Sequence, residues 1–471
     1  MARIAFLQNF WFEFLGPMYI SSLLKREGHE VQLFIGRDEK ELLEKCRDFK
    51  PHIAAFSISS GSQAFAYRVG KAFQEAYKSF TIMGGPHPTF FPDAVKGDGM
   101  DAICKGEGEY AMLDLANAIE GGGQIRDIKN LWVKHNGDLY KNDLRELVAD
   151  LNTLPPPDRS LYYDKYEFLR DNPNKHFITA RGCPYDCTFC SNKGFNDMYE
   201  GKGEIMRRPS VDRILGEIME VRDRYGINTV RFDDDVFTIE RGFVRKFLPE
   251  YGKAVKRPFT CLVRADHTND EMARLLSEAG CHMVYFGVES GDEKLREDVL
   301  KKGVTDDQIV NAARLLHKHK VKIGTFNMLG IPGETLETAY KTVTLNQRIG
   351  TDYPWCSVLQ PYPDTDVERY AKTKGYLDQD ACPDDFGTSY FNRSIISHND
   401  DAKALENLHK FFFLAVKVPA LWPVIRKLIR LPPNPVFNTV FRVTYGYRYV
   451  KTYQISVPRL VHTAWKLRGQ F

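Results

Sequence analysis

A chain of 471 residues with a net charge of +3 has length for about three domains and is too nearly neutral for a general nucleic-acid binder. Lys and Glu interrupt every apolar run before membrane-spanning length, and no secretory leader is expected ahead of Ile4. Nine cysteines, an odd count, suit a reducing cytoplasm with disulfides not expected.

The opening residues alternate short apolar strands with amphipathic helices. Residues 4–7, 31–35, 53–57 and 80–83 read as strands, and 18–26, 42–49 and 63–77 as helices. Uniformly apolar strands between such helices imply a parallel sheet covered on both faces, a doubly wound, Rossmann-like fold. Ligands of such sheets bind at the carboxyl ends of the strands. The loops there hold Asn9, then Ser59 and Ser60, then Gly84, Gly85, His87, Pro88 and Thr89; a Gly106-Glu107-Gly108-Glu109 turn follows. Glycines let the backbone turn tightly and approach a neighbour closely. Taken alone, the same residues are ordinary turn chemistry. His87, flanked by Pro86 and Pro88, reads as a loop hydrogen-bonder rather than a metal ligand.

From residue 125 to 174 the pattern loosens. Residues 131–133 and 139–140 suit a small hairpin around Asn136-Gly137, and Pro155, Pro156 and Pro157 stiffen an extended crossing. The expected division is a first domain at 1–140, a linker at 141–175, a second domain at 176–385 and a C-terminal domain at 386–471.

A strand at 177–180 delivers Arg181-Gly-Cys183-Pro-Tyr-Asp-Cys187-Thr-Phe-Cys190, three cysteines spaced C-x3-C-x2-C. Thiolates suit iron–sulfur chemistry, and a [4Fe–4S] cluster needs four protein ligands for full coordination. Three leave one iron open to a small molecule. Zinc sites pair C-x2-C units, and no second unit follows. The other cysteines, at 46, 104, 261, 281, 356 and 382, stand alone and read as packing residues.

Beyond the loop, strands at 229–232, 260–263, 283–288, 322–328 and 355–359 alternate with helices at 211–225, 270–279, 306–319 and 336–349. Six parallel strands with covering helices predict a partial (β/α)6 barrel, whose function sits at the carboxyl ends of its strands. Polar residues gather there: Asp233-Asp234-Asp235, Arg264, Glu289-Ser290-Gly291, Gly330-Ile-Pro-Gly333-Glu334-Thr335 and Gln360-Pro-Tyr-Pro-Asp364-Thr365.

The cysteine loop and the order of these turns resemble the radical S-adenosylmethionine (SAM) superfamily. The domain ahead of them narrows the resemblance to its cobalamin-binding branch, which includes B12-dependent methylases and the anaerobic magnesium-protoporphyrin ester cyclase type. It covers roughly residues 1–385. The resemblance implies a [4Fe–4S] cluster on Cys183, Cys187 and Cys190, whose open iron chelates SAM and delivers the electron that splits its sulfonium into a 5′-deoxyadenosyl radical. Asp234 or Asp235 would take the ammonium of SAM, and Arg264 its carboxylate or a neighbouring acid. Glu289 and Ser290 would suit the ribose, and the backbone at Gly330 and Gly333 the adenine. Asn9, Ser59, Ser60, Gly84, Gly85, His87, Pro88, Thr89, Gly106, Glu107 and Glu109 would surround cobalamin. Two departures stand out. B12 domains that ligate cobalt carry Asp-x-His-x-x-Gly after the first strand, whereas residues 9–16 contain no histidine. The Pro-Tyr-Pro-Gly-Thr turn of the branch has Asp364 in place of glycine.

The final segment changes character. Large apolar groups mix with cations, and no Asp or Glu follows Glu406. It suits an anionic bilayer surface, a cap over the barrel, or a plain helical domain with a solvated basic face. The leading expectation is a cytoplasmic cobalamin-dependent radical SAM methylase of an unactivated carbon in a large or apolar small molecule, with a flavodoxin- or ferredoxin-type electron donor. The rivals are a ring-forming or rearranging enzyme acting on a tetrapyrrole or lipid, and a cobalamin carrier or sensor with a structural cluster.

Overall fold

The computed structural model describes residues 1–362, 365–381, 395–397, 401–453 and 458. Asp364 and Cys382 lie outside the described residues, as does the chain from 459 to 471. The chain forms two compact units, Met1–Asn172 with Asp197–Glu204, and Pro173–Asn196 with Ile205–Trp465.

In the first unit, β1 (Arg3–Gln8), α1 (Leu15–Arg26), β2 (Glu30–Ile35), α2 (Glu39–Lys45), β3 (Ile53–Ser57), α3 (Gln63–Tyr77) and β4 (Phe80–Gly84) alternate. The short helix α4 (Pro86–Phe90), β5 (Ala102–Cys104), α5 (Glu109–Gly121) and the hairpin β6 (Leu131–His135)–β7 (Asp138–Lys141) follow. The sheet order is β2-β1-β3-β4-β5-β6-β7. Strands β1 to β5 are parallel, and the hairpin adds an antiparallel edge through β5. Asn136 and Gly137 have φ of 53° and 88°, the pair of left-handed residues that a two-residue hairpin turn demands. The central strands are buried along nearly their whole length, as a sheet covered on both faces requires. After the hairpin come the short helices α6 (Ser160–Tyr163) and α7 (Glu167–Arg170).

The second unit begins at β8 (Asn174–Phe177), the cysteine loop and α8 (Ser191–Met198), whose last residues fall in the first unit. It continues through α9 (Val211–Tyr225), β9 (Thr229–Phe232), α10 (Arg241–Ala254), β10 (Phe259–Leu262), α11 (Asp270–Glu278) and β11 (Cys281–Glu289). Next come α12 (Asp306–Lys318), β12 (Lys322–Leu329), α13 (Leu336–Arg348), β13 (Tyr353–Val358) and α14 (Asp366–Thr373). The six strands are parallel and ordered as in the chain, β8 to β13, with β8 and β13 at the two ends of the order. This is the open barrel that the βα repeat predicts. Its helices start where the sequence offers caps: Ser210 accepts from Arg213 N, Asn269 from Met272 N, and Thr305 and Gln308 form a reciprocal box. Thr335, the last residue of the Gly330 turn, caps α13 in the same way.

Beneath β9 and β10, Phe232, Phe237, Phe247, Tyr251 and Phe259 pack with ring centroids 4.9–6.2 Å apart. Three further helices, α15 (Ala402–Lys417), α16 (Trp422–Leu428) and α17 (Pro435–Tyr453), follow. Their apolar faces share a core with α13, through Leu405, Leu408, Phe411 and Phe412 against Ala339, Tyr340 and Val343.

Candidate functional site

The cysteine loop is fixed by backbone before any ligand is considered. Arg181 and Arg207 exchange both backbone hydrogen bonds, at 2.9 and 3.1 Å. Between them Gly182 has φ 89°, and a Cβ there would lie 2.2 Å from the Ile205 carbonyl oxygen, so only glycine passes. Thr188 is pinned on both sides: its N–H donates to Leu300 O and its hydroxyl to Val299 O. The amide of Asn196 donates to Cys183 O at 2.8 Å, and Cys190 N donates to Cys187 O at 3.0 Å. Cys183 and Cys187 are buried, Cys190 is partly so, and all three thiols are free.

Burial raises all three, Cys190 to about 11, and each lies within electrostatic range of another thiol of the set. Thiols raised by burial are poor nucleophiles. A cation site would bring them down, as coordinating thiols deprotonate. Among the described residues no three His, Cys, Asp or Glu side chains close round a single ion. A cube presents separate irons, so its ligands stand apart.

The three adjacent acids after β9 go to three different places. Asp233 bonds His176 Nδ1 at 2.6 Å and Arg231 Nε at 2.7 Å, and these partners outweigh its burial and hold it low. Asp234, 2% exposed, accepts from Thr179 N and Thr179 Oγ1, and lies 3.4 Å from Arg208. Burial still raises it to about 6. Its oxygens tie the end of β8 to the end of β9. Asp235 is the one that faces the cysteines: burial raises it against a hydrogen bond from Asn192, and it acts electrostatically on Cys183 and Cys190.

Arg264 reaches a neighbouring acid, the second of its two expected partners: its Nε and Nη2 each lie 3.1 Å from Asp266. It also donates to Lys302 O at 2.8 Å and stacks 3.6 Å over the Tyr185 ring, within the cysteine loop. Glu289 adopts φ 58°, uncommon for a side chain of its size, and accepts from Lys302 Nζ at 2.7 Å. Ser290 is fully buried; its hydroxyl accepts from Asp292 N, and its carbonyl from the buried Arg296. Gly330 and Gly333 have φ of 81° and 83°. The Glu334 carboxyl closes that turn, accepting from Gly330 N at 2.6 Å and Ile331 N at 3.3 Å. Burial lifts it to about 8, and its Oε1 has no hydrogen-bond partner among the described residues.

In the first unit, Asn9 and Ser59 line a cavity of about 320 Å³ at the carboxyl ends of β1 and β3, walled by Phe10, Trp11, Phe12 and Phe65. Ser60 meets His87 Nδ1 at 3.1 Å, which makes His87 a loop-bracing group; its ring stacks on Phe91. Gly84 ends β4, and at Gly85 (φ 94°) a Cβ would lie 2.9 Å from Ile58 N. Pro88 and Thr89 are buried in α4, and Thr89 Oγ1 accepts from Gly106 N at 3.1 Å. A Cβ on Gly106 would strike the Tyr199 hydroxyl, which also accepts from Glu107 N. The Glu107 carboxylate accepts from Val148 N at 3.2 Å, and Glu109 is buried in the first turn of α5.

Residues 177–345 match the radical SAM superfamily, and residues 12–116 match the B12 binding domain. An uncharacterized methyltransferase of Pyrococcus horikoshii is 30% identical over 377 residues, spanning 77% of this chain and 79% of its own. This chain belongs to the cobalamin-binding radical SAM family. The anaerobic magnesium-protoporphyrin IX monomethyl ester cyclase of Rubrivivax gelatinosus is 25% identical over 368 residues, 74% of this chain and 64% of the relative. The fold is that of the cobalamin-dependent SAM radical enzyme OxsB with aqua-cobalamin bound, at a TM-score of 0.73 and 16% identity, covering 99% of this chain and 75% of that one.

The family fixes the cofactors as a [4Fe–4S] cluster, SAM and cobalamin. The residues present fit them. Three free thiols on one loop match a cube with an open iron, and the carboxyl ends of the first sheet offer a cavity lined by Asn9, Ser57, Ser59, Ser62 and aromatic rings for a large ligand. Radical SAM enzymes of this kind take an electron from a reductant and act on small molecules. Lys302, Arg208, Tyr199 and the Tyr185–His267 hydroxyl–imidazole pair escaped the sequence reading. Of these, only Tyr199 had a sequence signal, the glycine at 106 that makes room for it.

Proposed function

We propose that this enzyme transfers a methyl group to an unactivated carbon of a large or apolar small molecule. The free, buried C-x3-C-x2-C loop carries the reading. When bound, the cluster, SAM and cobalamin supply a carbon-centred radical and a methyl group for it. Cys183, Cys187 and Cys190 are the residues that hold the cluster. Asp235, turned toward those thiols, takes the SAM ammonium, while Asp234 positions the turn. Arg264 and Lys302 place positive charge beside Cys187 and the SAM carboxylate, Glu289 and Ser290 face the ribose, and the backbone at Gly330 and Gly333 faces the adenine. Cobalamin lies along Asn9, Ser59, Gly85 and Gly106. Cys183, Cys187, Asp234, Arg264, Glu289 and Ser290 are buried, which limits the access of water to a reaction that water would quench.

The domain at 1–140 serves cobalamin and the one at 176–385 serves SAM. The residues at 386–471 meet the substrate or a membrane surface from the cytoplasmic side. A flavodoxin or ferredoxin supplies the electron. Anaerobically reconstituted enzyme is expected to convert SAM to 5′-deoxyadenosine. With SAM carrying a deuterated methyl group, the product gains the labelled methyl mass. Product without that gain favours the second reading, ring formation or oxidation of a tetrapyrrole or lipid, which the cyclase relative supports. Intact SAM defeats both.

A further inference from the structure

Helix α17 carries two apolar stripes where one would suffice to hold it. Its inner stripe packs Phe437 on Phe411 at 4.8 Å, Phe441 on His409 at 5.0 Å, and Arg448 over Trp355 at 3.6 Å. Its outer stripe, Val436, Val443 and Tyr447, has the spacing of one helical face and is 67%, 66% and 54% exposed. Apart from Met1 and Phe12, every large apolar side chain exposed among the described residues lies between residues 418 and 447. Val424 on α16, and Leu421 and Leu431 on either side of it, add to the patch. Such concentration is unlike the scattered exposure of an ordinary surface.

The charges around it say what covers it. Lys427, Arg430 and Arg442 are exposed, and no ion pair engages them among the described residues. No Asp or Glu side chain follows Glu406, and the Glu337 carboxylate that reaches α16 lies 3.5 Å from Arg426. A second copy docking by the same face would set cations against cations. No helix among the described residues is long and apolar enough to cross a bilayer. Apolar side chains level with unpaired cations match a surface of lipid tails beneath anionic headgroups. We infer that the outer face of α16 and α17 docks this enzyme on an anionic bilayer surface. This gives the membrane contact proposed above its residues, and it needs none of the cofactors.

The test is co-sedimentation of the full chain with mixed phosphatidylserine–phosphatidylcholine vesicles and with phosphatidylcholine vesicles alone. Binding is expected to the mixed vesicles, to weaken with added salt, and to be slight without phosphatidylserine. Lys427→Gln and Arg430→Gln are each expected to weaken it roughly fivefold. Val436→Asp with Val443→Asp is expected to abolish it; both side chains are exposed, so an unchanged melting temperature checks the fold. Equal binding to both vesicle types, or none to either, overturns the inference. So does a dimer in solution that Val436→Asp dissociates, which would assign the stripe to a second copy. SAM cleavage that persists in these variants shows that the catalytic reading stands apart.

Discussion

The two sheets present different chemistry at the carboxyl ends of their strands. In the second unit the ends carry charge held by charge: Glu289 by Lys302, Arg264 by Asp266, Asp234 by Arg208. In the first unit they carry glycines, hydroxyls and aromatic rings, with His87 against Ser60 and Thr89 against Gly106. A zwitterion such as SAM needs fixed charges of both signs. A corrin needs room, hydrogen bonds and few charges. Each sheet is matched to its own cofactor, so damage to one should leave the other loaded.

The strongest way to break that comparison is at the thiols. Cys183→Ser, Cys187→Ser or Cys190→Ser is expected to remove iron and reduce SAM cleavage to background, with corrin absorbance retained. Undiminished cleavage in any of the three would sink the cluster assignment. Glycines give a matched pair. Gly182→Ala forces a Cβ into the Ile205 carbonyl at a left-handed φ, so the loop must move, at a backbone cost on the order of 1–3 kcal/mol. It is expected to lose iron and keep cobalamin. Gly85→Ala, whose Cβ crowds Ile58 N, is expected to do the reverse. Iron analysis and the corrin spectrum of each purified variant read both.

Why these sites were legible is a matter of range. The strands of the barrel and their order followed from local periodicity, except that the first lies at Asn174–Phe177 and not at 177–180, and the cysteine loop followed from spacing within ten residues. The hairpin at β6 and β7 was visible in its Asn-Gly turn and fell within the first expected domain, yet nothing local showed that it would extend the sheet by pairing with β5. Which of Asp233, Asp234 and Asp235 faces the thiols depends on the twist at the end of β9, which no run of three identical residues encodes. Lys302 follows Glu289 by thirteen positions and a turn of π-helix at Leu295–Val299, so no motif links them.

Lys302 sharpens the comparison from within the charged site. Its ammonium and the Glu289 carboxylate are 10% and 9% exposed, and removing one partner leaves the other buried and unpaired, a loss of about 3 kcal/mol. Lys302→Met is therefore expected to lower stability and to weaken SAM binding about tenfold or more, while cobalamin binding is unaltered. Lys302→Arg, which keeps the charge, is expected to recover part of the SAM affinity. Equal losses of SAM and cobalamin would show global damage instead.

Glu334 gives the smallest effect and the clearest sign. Burial raises its pKa from 4.5 to about 8 in the folded chain, so across that interval the native state binds a proton that the unfolded state has released. Its contribution is complete below the unfolded value and is lost as pH rises toward 8. Between the unfolded value and neutrality the decline is on the order of 3 kcal/mol at most. Glu334→Gln keeps an oxygen for Gly330 N and Ile331 N without a proton to lose. The variant is expected to be as stable as the parent in mild acid, to surpass it above neutrality, and to flatten the denaturation profile over that range. Because Gly330 and Gly333 form the turn assigned to adenine, SAM affinity should follow the same flattening, and cobalamin affinity should not. A parent whose stability rises from pH 5 to 8 as steeply as the variant's would show that the carboxyl is ionised in the fold, held by its two backbone donors against the apolar surroundings.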